Sequence, residues 1–211
     1  MTEADSAGLA EAFPSRLRTG VRQALGNLTM SFPACPGVSA VIDGQRLEIP
    51  YRVYFSSRRP RLGGDRVENT ISRCMFTRHN DGFVRQENLA GLLAEERVEY
   101  FAVPFILKLA EEYVLDITQL VLSRIGCIAE EDLRRFLREN PRWTEKMNAR
   151  CVSYWNCYYR LMSSGGYPAY LEYPGARLVA FLMKMQSTAQ EDIPGPIDEP
   201  GPIRRASRDR L

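Results

Sequence analysis

Hydrophobic residues recur every three or four positions over most of this chain of 211 residues, the spacing that places them along one face of an α-helix. The run from Phe101 to Ile125 is the most apolar, and we expect a helix there to lie at the centre of the fold. Further helices are predicted over 15–28, 67–75, 82–93, 129–140 and 176–186. The clearest stripe covers about a third of a helical circumference and consists of Trp143, Met147, Cys151, Tyr154, Tyr158, Leu161 and Met162.

The pattern changes to β-rich runs in "VSAVIDGQRLEIPYRVYF", where two such runs flank Asp43-Gly44. An Asp-Gly pair favours a tight hairpin turn because both central residues of that turn need positive φ. Pro50 lies inside the second run and indicates an edge position or a bend, since proline cannot donate to a ladder. We therefore predict a β-hairpin at about 38–55 that packs against the helices, because one hairpin is not stable alone.

These elements predict one domain, which the chain length and the 45% hydrophobic content also favour. We expect a disordered N-terminus over 1–13, a single helical domain over 14–187, and a disordered tail rich in Pro, Gly and Arg over 188–211. The predicted fold class is mostly α: an antiparallel helical layer or bundle with an N-terminal β-hairpin packed on it.

Charge and cysteine content restrict the setting of the protein. The formal net charge of +2 does not indicate a nucleic-acid partner. Lys108, Glu111, Glu112 and Asp116 interrupt the most apolar run, so no membrane helix is expected, and the N-terminal sequence lacks the pattern of a secretory signal. The five cysteines fit no disulfide framework, which favours free thiols in a reducing cytoplasm.

The one histidine, His79, lies in "RHNDGF", which has some features of a calcium loop. If Gly82 takes the invariant glycine position, Asp81 is the one correctly placed carboxylate, and Asn88 stands where a bidentate Glu is required. Zinc is not supported, because there is no Cys-x-x-Cys pair and one histidine cannot supply the usual mixed ligand set. Since phosphate-binding and dinucleotide motifs are also missing, we predict neither a metal nor a cofactor.

A thiol enzyme is one alternative, because Cys74 and His79 could meet in space whatever their sequence positions. The apolar surroundings of the cysteines argue against it, since such surroundings raise the pKa of a thiol. The acidic runs Glu111-Glu112 and 130–132 are interpreted as solvated helix faces rather than catalytic carboxylates. An unrecognised enzyme stays an alternative hypothesis, and no catalytic residue is assigned.

Aromatic residues are dense in "CVSYWNCYYR", residues 151–160. Tyrosine and tryptophan carry a polar tip, so such a cluster can line a pocket, stack on bases or anchor an interface. Trp143, Tyr154 and Tyr158 share the stripe and are expected in the core. Trp155 and Tyr159 lie off its centre, and we expect them on a contact surface.

The stretch "DGFVRQENLAGLL", from Asp81 to Leu93, resembles part of a HEAT or armadillo-type helical repeat. In that family an Asp often precedes a helix of the repeat and a Val-Arg pair follows on its opening turn, positions matched here by Asp81, Val84 and Arg85. The resemblance implies antiparallel helices stacked side by side, with binding through an extended surface. No second copy is visible, so it extends to a HEAT-like helical layer and not to a solenoid. On the residues themselves, Asp81 is predicted to cap the helix that follows it.

The leading hypothesis is a non-catalytic protein that binds another protein through a helical surface, as an adaptor or an immunity-type neutralising protein does. Its motivation is the lack of catalytic motifs, the repeat-like unit and the uneven charge along the chain. The predicted partner-binding residues are Glu95, Glu96, Glu99, Glu111, Glu112, Asp116, Trp155 and Tyr159. The sequence gives no oligomeric state.

The alternative hypothesis is a nucleic-acid-binding protein. The loop "SSRRPRLGGDR" would contact phosphates, and tyrosine and tryptophan rings would stack on bases. The arginines of that loop are Arg58, Arg59, Arg61 and Arg66.

Overall fold

The computed structural model describes residues 9–26, 28–32, 34–35, 37–162, 166–167 and 169–191, with side chains to residue 187. Within them the chain is mostly α-helical with two small two-stranded sheets, which confirms the coarse fold class. The α-helices are α1 (Arg18–Leu25), α2 (Arg66–Phe76), α3 (Gly82–Leu93), α4 (Val103–Ala110), α5 (Leu115–Arg124), α6 (Glu130–Glu139), α7 (Trp143–Tyr154) and α8 (Pro174–Glu191). The strands are β1 (Met30–Phe32), β2 (Val38–Ile42), β3 (Gln45–Ile49) and β4 (Tyr54–Phe55).

Helix α4 forms the centre of the fold, as its apolar sequence predicts. Every residue of this helix is buried, including Lys108. The prediction of one continuous helix over 101–125 is wrong, because the chain leaves the helix at Glu111 and begins α5 at Leu115. The break lets α5 pack against α4. None of the described helices has the length and apolarity needed to cross a bilayer.

Helices α2, α5 and α6 pack directly on α4. Several helices that follow one another in the chain also pack together: α1 on α2, α2 on α3, and α7 on α8. The last helix, α8, also contacts α5 and α6, so the helices close around the centre. This closure differs from a linear solenoid, in which each unit contacts only its neighbours in sequence.

The hairpin turn forms where the sequence predicts it. Strands β2 and β3 pair in antiparallel fashion, with Ile42 opposite Gln45 at the turn. Asp43 and Gly44 have φ of 54° and 71°, the left-handed values that the Asp-Gly pair predicts.

The second β-rich run is divided at Pro50. Strand β3 ends one residue earlier, and the chain bends before Tyr54 and Phe55 form β4. Strand β4 pairs with β1 instead of continuing the hairpin. The hairpin is therefore shorter than predicted, because proline supplies no N–H for a continued ladder.

Asn140 fastens the hairpin to the end of α6. Its Oδ1 accepts a hydrogen bond from the N–H of Val41 at 2.7 Å, and its Nδ2 donates to the carbonyl of Val41 at 2.8 Å. The same Nδ2 donates to the carbonyl of Phe136 at 3.0 Å. One side chain thus ends a helix and holds a strand against it.

The packed region begins before residue 14. Leu9, Ala12 and Phe13 are buried, and the Phe13 ring stacks on that of Phe105 in α4 with centroids 5.2 Å apart. The predicted disorder is therefore wrong for residues 9–13, whose apolar side chains bury against the central helix. Residues 1–8 lie outside the described residues.

The C-terminal boundary also differs from the prediction. Helix α8 continues to Glu191, so 188–191 belong to the helix and not to a tail. The rest of the predicted tail, 192–211, lies outside the described residues.

Candidate functional site

Helix α7 begins as predicted and then changes its winding. Trp143, Met147 and Cys151 of the predicted stripe are buried. From Trp155 to Tyr159 the backbone is a π-helix, whose hydrogen bonds reach one residue further along the chain than those of an α-helix. Positions beyond this segment therefore face a different direction from the one that regular helical spacing predicts.

Because of the π-helix, the later residues of the predicted stripe lie outside the core. Tyr158, Leu161 and Met162 are 53%, 89% and 49% exposed, and Tyr154 is half-buried at the end of α7. The prediction of a core position is wrong for Tyr158 and holds only in part for Tyr154. Period-3.6 spacing cannot reveal a π-helix, because the extra residue breaks the period itself.

Four rings around the π-helix contact one another, those of Tyr113, Tyr154, Tyr158 and Tyr159, and the Trp155 ring on the same segment contacts that of Tyr170. We call these residues the aromatic surface: Tyr113, Tyr154, Trp155, Tyr158 and Tyr159. Tyr113 comes from the break between α4 and α5, and its ring centroid lies 6.0 Å from that of Tyr154 and 5.8 Å from that of Tyr158. Tyr113 is 49% exposed. The break in the central helix thus supplies one edge of the surface and α7 the other.

Trp155 and Tyr159, the two predicted contact residues, are half-buried and fixed by hydrogen bonds. The Trp155 indole N–H donates to the carbonyl of Tyr167 at 2.6 Å. The Tyr159 hydroxyl donates to the carbonyl of Tyr113, and its ring stacks on the buried ring of Tyr173 with centroids 5.3 Å apart. Both residues therefore anchor the aromatic surface.

The predicted acidic contact residues separate into three groups. Asp116 is exposed in the first turn of α5 and lies near Tyr159, where its charge adds to burial in raising the pKa of the tyrosine hydroxyl. Glu111 and Glu112 are buried. The third group comes from the loop after α3 and consists of Glu95, Glu96 and Glu99.

The interpretation of Glu111-Glu112 as part of a solvated helix face is wrong. They are 6% and 4% exposed, so neither is available to a partner. The Glu112 Oε2 accepts from Arg85 Nε at 2.9 Å and lies 2.8 Å from its Nη2. The Glu112 Oε1 lies 2.9 Å from Arg52 Nη2 and 4.0 Å from Arg78 Nη2.

Glu111 binds a second set of cations. Lys108 Nζ donates to its Oε1 at 2.6 Å, and Arg150 Nε lies 3.0 Å from its Oε2. The Tyr51 ring lies beside the same cations, with its centroid 4.4 Å from the Arg52 guanidinium and 5.9 Å from Lys108 Nζ. We call this set the ion cluster: Arg52, Arg78, Arg85, Lys108, Glu111, Glu112 and Arg150.

Backbone hydrogen bonds assemble the ion cluster from distant segments. The N–H of Val53 donates to the carbonyl of Arg78 at 2.9 Å, and the carbonyl of Val53 accepts from the N–H of Asn80 at 3.0 Å. This pairing places Arg52 beside the loop between α2 and α3. The members come from well-separated parts of the chain. The sequence therefore contains one indication only of the ion cluster, namely the charged residues inside its most apolar run.

The ion cluster carries an excess of positive charge. Among the described residues it contains five cations and two carboxylates, so the cations share the carboxylates and the cluster has a net charge of +3. Arg78 is fully buried, and burial lowers its pKa to about 10, helped by the charges of Arg52 and Arg85. Burial also lowers the pKa of Lys108. Packing cations together away from water raises their free energy.

Cys74 and His79 lie in surroundings that do not activate a nucleophile. Cys74 is fully buried, and burial raises the pKa of its thiol well above the ordinary value. His79 is 3% exposed; its Nδ1 accepts from the N–H of Asp81 at 3.0 Å, and burial lowers its pKa. All five cysteines are free thiols. Among the described residues, no three His, Cys, Asp or Glu side chains lie close enough to hold a metal ion.

The basic loop of the nucleic-acid hypothesis already has acidic contacts at two of its four arginines. Arg58 Nη2 lies 2.5 Å from a carboxylate oxygen of Asp81, the residue that caps α3. Arg66 Nη2 lies 3.5 Å from Glu99 and donates to a backbone carbonyl. Arg59 and Arg61 are exposed.

No protein-family model, curated protein or solved structure matches this chain. The functional conclusion therefore depends on the geometry described above.

Proposed function

We propose that this chain is a non-catalytic protein-interaction protein and that the aromatic surface is where its partner protein binds. The observation that supports this is the mutual contact of Tyr113, Tyr154 and Tyr158, with the first and last about half exposed. Tyrosine and tryptophan dominate the binding energy of many interfaces because they combine a large apolar area with a polar tip.

The firm attachment of these rings adds to the proposal. Trp155 and Tyr159 are hydrogen-bonded to backbone carbonyls, so little side-chain entropy is lost when a partner covers them. Leu161, two residues after Tyr159 in the chain, is 89% exposed and offers a further apolar side chain. π-Helical segments also occur frequently at functional sites.

Charged residues border the aromatic surface. The Arg160 guanidinium lies 5.4 Å from the centroid of the Trp155 ring, and Asp116 lies near Tyr159. Rim charges of this kind influence association rate and orientation more than affinity. We therefore assign the affinity to an apolar segment of the partner that covers the rings, and the orientation to Arg160 and Asp116.

A HEAT-like helical layer belongs to the same proposal. Its support is local: the Asp81 carboxylate accepts from the N–H of Phe83 at 2.9 Å and caps α3, and α3 packs against α2 and α5. The buried Arg85 then ties α3 to the segment after α4 through Glu112.

The experiment is affinity purification from the native cell followed by mass spectrometry, with three baits. They are the wild type, the double variant Tyr158→Ser/Leu161→Ser, and the control Leu62→Ser, whose side chain is 45% exposed in the basic loop. We expect one protein to be captured by the wild type and the control, and to be reduced about tenfold or more by the double variant. A photo-crosslinking amino acid at position 158 should join the chain to the same protein.

Two results would overturn the proposal. One is a partner that the double variant retains in full and that does not crosslink to position 158. The other is capture of RNA or DNA instead, in amounts that fall steeply with salt and with Arg59→Ala/Arg61→Ala, which would favour the nucleic-acid hypothesis. Circular dichroism of each variant checks that it is folded.

A further inference from the structure

Arg78 is the least compensated charge in the ion cluster. Its side chain is 0% exposed, and its Nε donates to Thr77 Oγ1 at 3.3 Å. Neither terminal nitrogen has a hydrogen-bond partner among the described residues, although a guanidinium carries five N–H donors. The carboxylate oxygen within 4.0 Å is Glu112 Oε1, which Arg52 already approaches to 2.9 Å. A buried guanidinium with unused donors is unfavourable until an acceptor completes it.

The two carboxylates of the cluster are already paired with other cations, although Glu112 Oε1 accepts no hydrogen bond from a described residue. Glu112 accepts the fork of Arg85 on one oxygen, and Glu111 is shared by Lys108 and Arg150. The Tyr51 ring can stabilise neighbouring cations but does not neutralise them. The excess of three positive charges among the described members therefore calls for an anion from outside.

The ion cluster reaches solvent on one side. The side chain of Arg150 is 47% exposed and that of Arg52 is 11% exposed. Tyr51 and Tyr154 are half-buried beside them. Exposure thus falls from Arg150 through Arg52 to Arg78, which is fully buried.

We infer that the ion cluster is a binding site for a phosphate group, held by Arg52, Arg78 and Arg150. Guanidinium groups match phosphate oxygens because each presents paired donors in one plane. A phosphate group with close to two negative charges compensates most of the excess, whereas a monocarboxylate compensates one charge. The inference is independent of whether the aromatic surface binds a protein.

Isothermal titration calorimetry on the full chain in phosphate-free buffer tests the inference, with inorganic phosphate and O-phosphoserine as probes. Acetate and chloride at matched ionic strength are the controls. We expect saturable binding of at least one phosphate probe, with acetate at least about tenfold weaker, because acetate carries one negative charge and a phosphate group about 1.5 to 2. Tighter binding of inorganic phosphate would indicate the free ion as the ligand, and tighter binding of O-phosphoserine would indicate a phosphate monoester.

A matched pair of variants on one segment locates the site. Arg150→Gln removes a cation at the solvent side of the cluster and should weaken phosphate binding about tenfold or more, the loss expected for a charge-assisted hydrogen bond. Arg142→Gln removes an arginine that is 76% exposed and pairs with Glu145, and it should leave the affinity unchanged. The affinity is the readout, so a modest loss of stability in either variant does not affect the comparison.

Phosphate that stays bound through purification is found by assaying the supernatant of acid-denatured, desalted protein. The inference is overturned if neither the titration nor this assay detects phosphate. It is equally overturned if both variants bind phosphate as the wild type does, since the anion would then be held elsewhere.

Discussion

Arg85 and Glu112 form a buried ion pair in which Nε and Nη2 of the arginine lie 2.9 and 2.8 Å from the same carboxylate oxygen. The arginine is on α3 and the glutamate follows α4, so the pair joins α3 to the centre of the fold. Arg85 also donates to the backbone carbonyls of His79 and Asn80 at 2.9 and 3.0 Å. A single guanidinium thereby fixes the loop between α2 and α3.

Glu112→Gln should strongly destabilise the protein. The change preserves the shape of the side chain but leaves Arg52, Arg78 and Arg85 without their shared carboxylate, and removing one partner of a buried pair typically costs about 3–5 kcal/mol. Urea unfolding in phosphate-free buffer measures the free energy of unfolding. Glu145→Gln is the control, because its pair with Arg142 is exposed and should contribute less than about 1 kcal/mol. Equal losses for the two variants would contradict the expectation.

Asn140→Ala should loosen the hairpin from α6. It removes both hydrogen bonds to Val41 and leaves half-buried backbone groups without these partners, a loss of about 1–3 kcal/mol. Hydrogen exchange should accelerate at the Val41 amide more than at Leu107, which lies in the buried central helix and exchanges with global unfolding. Uniform acceleration at both amides would show that Asn140 does not hold the hairpin locally.

Gly44→Ala should destabilise the hairpin turn by about 1–2 kcal/mol, because φ of 71° is unfavourable for a residue with a Cβ. The loss is conformational, since no heavy atom lies within 4 Å of the new Cβ. Gly63→Ala is the matched control: its Cβ also meets open space, and its φ is not in the left-handed region. Thermal unfolding should separate the two variants, and a control as destabilised as Gly44→Ala would refute the conformational reason.

The stability of the protein should fall as the pH drops below about 6.5, the ordinary pKa of histidine. Burial lowers the pKa of His79, so the unfolded chain takes up a proton at a higher pH than the folded chain does. Stability from this source is complete above the unfolded pKa and is lost as the pH falls towards the folded pKa. Because His79 is the one histidine of the sequence, a loss of stability with the pKa of a histidine can be assigned to this residue.

His79→Asn provides the test of that pH dependence. The asparagine oxygen can take over the hydrogen bond from the N–H of Asp81 that the histidine Nδ1 accepts, but asparagine does not titrate. Urea unfolding at pH 7.5, 6.5 and 5.5 should show a decline for the wild type and a flatter profile for the variant. Parallel profiles would mean that another group is responsible.

Local pattern determined much of the architecture. The Asp-Gly pair placed the hairpin turn, the apolar run located the central helix, and Asp81 was identified as the cap of α3, because each of these depends on residues close together in sequence. Trp143 was likewise placed in the core by the stripe of α7.

Only the tertiary structure decided which residues form the aromatic surface and the ion cluster. The π-helix turns Tyr158 and Leu161 away from the core. Backbone pairing places Arg52 near Arg78, and both lie within 4.0 Å of Glu112. The sequence shows the charges of the ion cluster but not their burial, since burial depends on contacts between segments far apart in the chain. Helical periodicity says which residues share a face, and the packing of other elements decides whether that face meets protein or water.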